Sequence, residues 1–149
     1  MSARRQGVIV GRSTGRRSLA LAITFLASTV ATAAVAQSLK SLRAQEREEA
    51  ALADEGSYTS DVCGQSIATS IDWDSMEGWP EDESVADACG GALSALESLC
   101  RSGSAPAVES FVCLGDGSGP DYADSELRYG ASPDGGDAYA ATKSYLQGL

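Results

Sequence analysis

SVADACGGALSALESLCRSG, residues 84–103, is the clearest secondary-structure signal in the chain. Its large apolar residues recur three and four positions apart, which is the spacing of one face of an α-helix. Ser84 can cap the first turn, with Asp87 three residues later as the acid of a capping box, and Gly103 can end the last turn. The apolar face consists of Val85, Cys89, Leu93, Leu96 and Cys100. The sequence therefore predicts a central helix over 84–101.

Four cysteines follow the N-terminal segment, at Cys63, Cys89, Cys100 and Cys113. An even number of cysteines in an exported chain is typical of disulfides, and we expect two. A zinc site is disfavoured because the chain has no histidine and its cysteines form no C-x2-C pair. The same lack of a C-x-x-C motif argues against a redox-active pair.

The predicted helix restricts how these cysteines can pair. Cys89 and Cys100 are 11 residues apart, so a continuous helix separates their Cα atoms by roughly 16 Å. A disulfide tolerates at most about 7 Å between Cα atoms, so these two cannot be bonded to each other. Two pairings remain: Cys89–Cys113 with Cys63–Cys100, or Cys63–Cys89 with Cys100–Cys113.

The chain after the helix favours the first of these pairings. Val108 to Leu114 is predicted to be a strand, with apolar side chains on both faces. If this strand packs back along the helix, the five steps from Val108 to Cys113 rise roughly 16 Å. Cys113 then comes level with Cys89, and Cys100 is left to pair with Cys63. We therefore expect the disulfides Cys89–Cys113 and Cys63–Cys100.

The remaining elements are shorter. Residues 66–73 favour a strand, although the spacing of their isoleucines also suits a helix. Residues 115–125 have the composition of a loop, 126–131 favour a strand, and 138–147 favour a C-terminal helix. The fold class is therefore predicted to be α+β. We expect a small single domain with a central helix, two or three short antiparallel strands and a C-terminal helix, stapled by two disulfides.

Residues 1–36 have the layout of a secretory signal peptide. Arginines without acids precede an apolar segment that ends in Ala34-Val35-Ala36, a small-x-small cleavage site before Gln37. An uncleaved membrane anchor is the alternative, but the apolar run is of marginal length for a spanning helix. Arg16-Arg17 is compatible with twin-arginine export. We expect a secreted or periplasmic protein without membrane attachment after cleavage.

Cleavage would leave residues 37–149, which suffice for one domain. Residues 37–56 are helix-prone but carry a thin apolar stripe, so we predict a helical or partly disordered acidic leader that ends at Gly56. Residues 57–149 are then the disulfide-stabilised α+β domain. All 21 acidic residues but only six of the 11 basic ones lie after residue 36, which gives the mature chain a net charge of −15.

The net charge of −15 makes some kinds of binding partner less favourable than others. An anionic surface repels phosphate backbones, so direct nucleic-acid binding is not expected. A basic protein is compatible with the charge, although an acidic surface also serves solubility alone. The absence of histidine excludes Ser-His-Asp and Cys-His catalysis. What remains for an enzyme is carboxylate chemistry.

One acidic segment could support such chemistry. Asp72, Asp74, Glu77 and Glu81 lie beside two tryptophans, Trp73 and Trp79. Paired carboxylates beside aromatic rings occur in glycoside hydrolases, and a tryptophan face alone can bind a sugar. In a chain this acidic, the same proximity also arises by chance. A hydrolase or a carbohydrate-binding module is therefore the alternative function.

The glycine-rich segment after the predicted strand suggests a calcium loop. The candidate ligands are Asp116, Ser118, Asp121 and Asp124, since calcium takes six to eight oxygen ligands. The order of residues does not match an EF-hand, and an ordinary polar loop is the competing interpretation. No cofactor is expected. The sequence as a whole predicts a small, exported, acidic protein that is not an enzyme and acts by binding, for example a basic protein or a glycan, or as a structural accessory.

Overall fold

The structure is a computed structural model that describes the backbone of residues 23–149 and the side chains of residues 39–149. The chain divides into two compact units, residues 1–40 and residues 41–149. Arg16-Arg17 and the first part of the predicted signal peptide lie outside the described residues. Residues 41–149 contain all the elements described here, apart from the first part of the N-terminal helix.

Residues 23–149 form three α-helices: α1 (Ile23–Cys63), α2 (Val85–Ser102) and α3 (Ala138–Leu146). The predicted central helix is confirmed as α2. The Ser84 hydroxyl accepts a hydrogen bond from the backbone N–H of Asp87 at 3.1 Å, and Gly103 closes the helix at φ 71°.

A carboxylate from another helix completes the start of α2. Oε2 of Glu48, in α1, accepts hydrogen bonds from the Ser84 hydroxyl and from the backbone N–H of Ala86, both at 2.9 Å. An anion at this position satisfies a free N–H group and complements the helix dipole. The capping contact therefore links α1 to α2, which the local sequence around Ser84 did not show.

Helix α1 does not end at Gly56, and that prediction is wrong. The helix continues to Cys63, and Leu52 and Thr59 are fully buried. A Cβ at Gly56 would overlap the side chain of Thr69, so glycine permits close approach of the neighbouring strand. The face that packs on the core is a stripe of Leu52, Gly56, Thr59 and the half-buried Cys63. Only leucine among them is a large apolar residue, so the sequence pattern does not reveal this face.

Four strands form one mixed sheet: β1 (Ala68–Ile71), β2 (Ser110–Leu114), β3 (Gly119–Ala123) and β4 (Glu126–Gly130). Their spatial order is β1-β2-β4-β3. The pairs β1–β2 and β2–β4 are parallel, and only β3–β4 is antiparallel. The α+β class is confirmed, but the described residues form four strands where two or three were expected, and the expectation of antiparallel strands is correct for one pair only. The parallel β1–β2 pair requires a long crossover connection, and α2 lies in that connection.

Strand β3 occupies part of the segment predicted as a loop. Its composition misled the prediction because an edge strand tolerates proline and needs few apolar side chains. Asp124 and Ser125 both have positive φ, 50° and 64°, which is the geometry of a tight two-residue hairpin turn. The predicted strand at 126–131 is confirmed as β4, and β3 pairs with it along its whole length.

The core lies between the sheet and the helices. Leu93 and Leu96 of α2 face Phe111 of β2 and Leu127 of β4 in one cluster, and all four side chains are fully buried. The final helix is confirmed with Asp137 as its cap. Its buried residues are Ala138, Thr142 and Leu146.

Two disulfides are present, as expected. Cys63–Cys100 joins the ends of α1 and α2, with 5.0 Å between the Cα atoms. Cys89–Cys113 joins the first half of α2 to β2, with a Cα separation of 6.0 Å. These are the expected pairs: the helix geometry excluded one alternative, and the strand that follows the helix favoured this pairing over the other. The first disulfide thus links α1 to the C-terminal half of α2, and the second links the sheet to the N-terminal half of α2.

Among the described residues, no helix combines the length and apolar character needed to span a membrane.

Candidate ligand-binding cleft

A cleft of about 400 Å³ opens beside the carboxyl end of β4. Its walls come from the first half of α2, the β2–β3 loop, the end of β4, and the segment that leads into α3. In open sheets with parallel strands, ligands typically bind outside the carboxyl ends of those strands. The lining residues are Asp87, Ala88, Gly91, Gly117, Gly119, Tyr129, Gly130, Ala131, Ser132, Gly135, Gly136, Asp137, Ala138 and Tyr139.

Glycines shape two walls of the cleft. A Cβ at Gly91 would lie 2.9 Å from Cβ of Ala138 and 3.0 Å from the backbone nitrogen of Tyr139. A Cβ at Gly130 would overlap the side chains of Asp116 and Ser118 in the β2–β3 loop. The first contact lets α3 approach α2, and the second lets the loop fold over the end of β4. Gly91 and Gly130 therefore allow the close packing that shapes these two walls of the cleft.

The charged side chains of the cleft are acidic. Asp87 and Asp137 line it, and in residues 39–149, whose side chains are described, no lysine or arginine does. Oδ1 of Asp137 accepts a hydrogen bond from the backbone N–H of Ala140 at 2.9 Å, which caps α3 and fixes the carboxylate. The cleft thus presents hydrogen-bond acceptors and negative charge.

The pKa of Tyr129 is affected by burial and by the negative charge in the cleft. Burial is the main cause that raises the pKa of its phenol above the usual range, and the negative charge of Asp137 raises the pKa further. Both effects disfavour a phenolate, because a charged oxygen would be poorly hydrated and repelled. A ligand with a negative charge would meet the same repulsion. The site is suited to a neutral or positively charged group.

The calcium candidates are not brought together. Asp116 precedes β3 and Asp124 follows it, so the four strand steps between Gly119 and Ala123 alone separate them by roughly 13 Å. Asp116 instead accepts a hydrogen bond from the backbone N–H of Ser118 at 3.0 Å, and bonds from the Ser118 side chain and backbone lower the pKa of this carboxyl. Asp121 accepts a bond from the Tyr145 hydroxyl at 3.3 Å.

The acids proposed for a hydrolase lie apart from the cleft. Asp72 caps a single 3₁₀ turn, Trp73–Met76, and the side chains of Asp74, Glu77 and Glu81 are exposed. A glycoside hydrolase needs two carboxyl groups held together around the scissile bond. The exposure of these side chains therefore gives the hydrolase alternative no support.

Both tryptophans use their indole nitrogens within the fold. Nε1 of Trp73 donates to Oε1 of Glu49 at 2.7 Å, and Nε1 of Trp79 donates to the backbone oxygen of Glu83 at 3.0 Å. Each ring is half-buried against the core. Packing and hydrogen bonding thus account for both residues, which weakens their interpretation as sugar-stacking platforms.

The cleft was not predicted from the sequence. Its residues belong to separate elements, among them the predicted strand over 126–131 and the segment before the predicted helix over 138–147, and no motif in the sequence joins them. The one available signal was Gly90-Gly91 inside a periodic helix, since such glycines mark close approach of another backbone. Gly91 has that role, whereas the space beside Gly90 is open.

No protein-family model matches the chain, and neither the curated proteins nor the solved structures contain a significant match.

Proposed function

We propose that this protein is an exported, disulfide-stabilised binding domain whose cleft holds a cation-bearing ligand, such as the side chain of a basic protein. The observation that carries this proposal is that Asp87 and Asp137 line one cleft together, with no lysine or arginine of residues 39–149 among the lining residues. Carboxylates accept hydrogen bonds from ammonium and guanidinium groups. Both carboxylates therefore favour a cationic ligand.

The charge of the whole protein supports the same ligand class. The mature chain carries −15, so its field attracts cations before any contact forms. That general field does not by itself define a site, because it also serves solubility. The cleft brings two carboxylates to one concave surface and holds that of Asp137 in place as a helix cap. A cation attracted by the general field could therefore bind at this position specifically.

Two matched ligands test the proposal. N-acetyl-arginine amide carries a guanidinium group, and N-acetyl-citrulline amide replaces it with a neutral urea of nearly the same shape. We expect the arginine compound to bind with a Kd on the order of 1 mM and the citrulline compound to bind several-fold more weakly. Isothermal titration calorimetry at two salt concentrations measures both, and binding of the arginine compound should weaken with salt.

Substitutions of single aspartates test whether the arginine compound binds in the cleft. Asp87→Asn and Asp137→Asn should each weaken binding of the arginine compound several-fold, and asparagine preserves the cap at position 137. Asp134→Asn is the matched control, because Asp134 is exposed on the adjoining loop and does not line the cleft. Equal binding of the two compounds would refute a cationic ligand. Equal effects of the three variants would refute the cleft as its site.

Export is the second part of the proposal. It is supported by the signal-like layout of residues 1–36 and by two disulfides, which form and persist in oxidising compartments. We expect the exported protein to begin at Gln37 and to contain both disulfides. Intact-mass and N-terminal peptide analysis would measure this, and a full-length product retained in the membrane would instead support the anchor.

A further inference from the structure

Three side chains with proton-transfer chemistry meet between α2 and α3. Nζ of Lys143 donates to the Tyr139 hydroxyl oxygen at 2.9 Å and to Oγ of Ser98 at 3.2 Å. The Tyr139 hydroxyl and Oγ of Ser98 are themselves 3.2 Å apart. Lys143 lies one helical turn after Tyr139, and its ammonium is 5.1 Å from the centre of the Tyr139 ring. Each of the three polar atoms thus contacts the other two.

This arrangement favours the ionised form of Tyr139. The hydrogen bond from Lys143 is the main cause that lowers the pKa of the Tyr139 phenol, and the bond with Ser98 lowers the pKa further. The charge of Asp137, the cap of the same helix, opposes the effect without reversing it. Asp87 of α2 also lines the cleft beside Tyr139 and has the same sign as Asp137. A cation in contact with the oxygen outweighs these more distant carboxylates.

Tyr139 is also accessible. Its side chain is 37% exposed and forms part of the cleft wall, whereas Ser98 is half-buried between the helices. A nucleophile needs a lone pair that is both available and reachable by the electrophile. Of the two hydroxyl groups, the phenol meets both conditions.

We propose that Tyr139 is a nucleophile in the wall of the cleft, positioned by Lys143 and Ser98, and that it accepts an acyl group from an activated ester. The phenol first loses its proton to water, and the phenolate oxygen then attacks the carbonyl carbon of the ester. A new C–O bond forms as the bond to the leaving oxyanion breaks. Water returns a proton to a basic oxyanion, whereas a weakly basic one such as p-nitrophenoxide stays ionised, so that an acyl-tyrosine and the released alcohol or phenol result. This inference rests on the three contacts and is independent of the proposed cationic ligand.

Tyr58 provides an internal comparison. Its side chain is 54% exposed, more than that of Tyr139, and its hydroxyl is 3.2 Å from a guanidinium nitrogen of Arg101. If exposure alone controlled reactivity, an acylating reagent would modify Tyr58 faster. If the contacts with Lys143 and Ser98 control reactivity, Tyr139 would be modified faster.

The test treats the intact, oxidised protein with p-nitrophenyl acetate and follows acetylation of each tyrosine by peptide mapping. Hydroxylamine removes acetyl groups from tyrosine and leaves those on lysine, which separates the two products. We expect Tyr139 to be acetylated several-fold faster than Tyr58. Lys143→Met should reduce that ratio to one or below without slowing Tyr58, and Ser98→Ala should reduce the ratio by a smaller factor. Lys40→Met, which removes an exposed lysine elsewhere, should leave the ratio unchanged.

The outcomes separate the two proposals. Faster acetylation of Tyr58, or a ratio that Lys143→Met does not change, would overturn the assignment of Tyr139 as an activated nucleophile. Failure of the arginine compound to bind, with selective acetylation of Tyr139 retained, would overturn the proposed ligand and leave the nucleophile in place. Circular dichroism of each variant would establish that the helices are retained before rates are compared.

Discussion

Replacing Cys89 and Cys113 together with alanine is expected to lower the free energy of unfolding by roughly 3–4 kcal/mol. The two sulfurs join α2 to β2 across a sequence separation of 24 residues, and removing such a link restores about 3.5 kcal/mol of chain entropy to the unfolded state. Both cysteines are also fully buried. A domain of this size has a total stability of roughly 5–15 kcal/mol, so the loss would leave it marginal.

Urea unfolding followed by circular dichroism measures this loss. The matched variant replaces Cys63 and Cys100, whose disulfide spans 37 residues and has a slightly larger entropic effect, about 3.9 kcal/mol. These two cysteines are half-buried, so their replacement creates less of a cavity, and we expect losses of similar size. A loss below about 1 kcal/mol for either pair would contradict the role assigned to these links.

Leu52→Ala should destabilise the protein by about 2–5 kcal/mol. Leu52 lies in α1 and is 1% exposed within the main hydrophobic cluster. Truncation removes apolar area from the core and leaves a cavity that the surrounding helices and sheet can only partly fill. The expected effect follows directly from the burial of Leu52, which a solvated α1 would leave exposed.

Leu42→Ala is the matched control, since Leu42 is in the same helix but 51% exposed. We expect it to change stability by less than about 0.5 kcal/mol. The pair separates the change in helix propensity, which is common to both variants and slightly favours alanine, from the loss of packing. Equal small effects at the two positions would mean that α1 is a solvated arm, as its thin apolar stripe first suggested.

Local sequence was sufficient for the capped helices. Ser84 and Gly103 bound α2, and Asp137 begins α3, because capping depends on residues within one turn of the helix end. For the disulfides, the rise of the helix between Cys89 and Cys100 excluded one pairing. The choice between the other two pairings required the assumption that the following strand packs back along the helix. Capping and the excluded pairing alone required no knowledge of distant contacts.

The sheet and the cleft, in contrast, depend on contacts between residues that are far apart in the sequence. Strand β3 pairs with β4 through backbone hydrogen bonds, which composition does not encode, and its glycine and proline concealed it. Gly56 and Gly130 are needed because Thr69 and the β2–β3 loop approach them in space. Tyr129 and Asp137 line one cleft only because β4 ends where α3 begins to pack on α2.

The central claim, that the cleft binds a cationic group, is tested most directly by nuclear magnetic resonance. The ¹⁵N-labelled protein would be titrated with N-acetyl-arginine amide, with the citrulline compound as the reference. We predict saturable shifts of the amide signals of Gly91, Gly130, Gly136 and Tyr139, with smaller shifts for citrulline. Shifts spread instead over the exposed acids of residues 77–83, or no saturable shift at the cleft, would contradict the account.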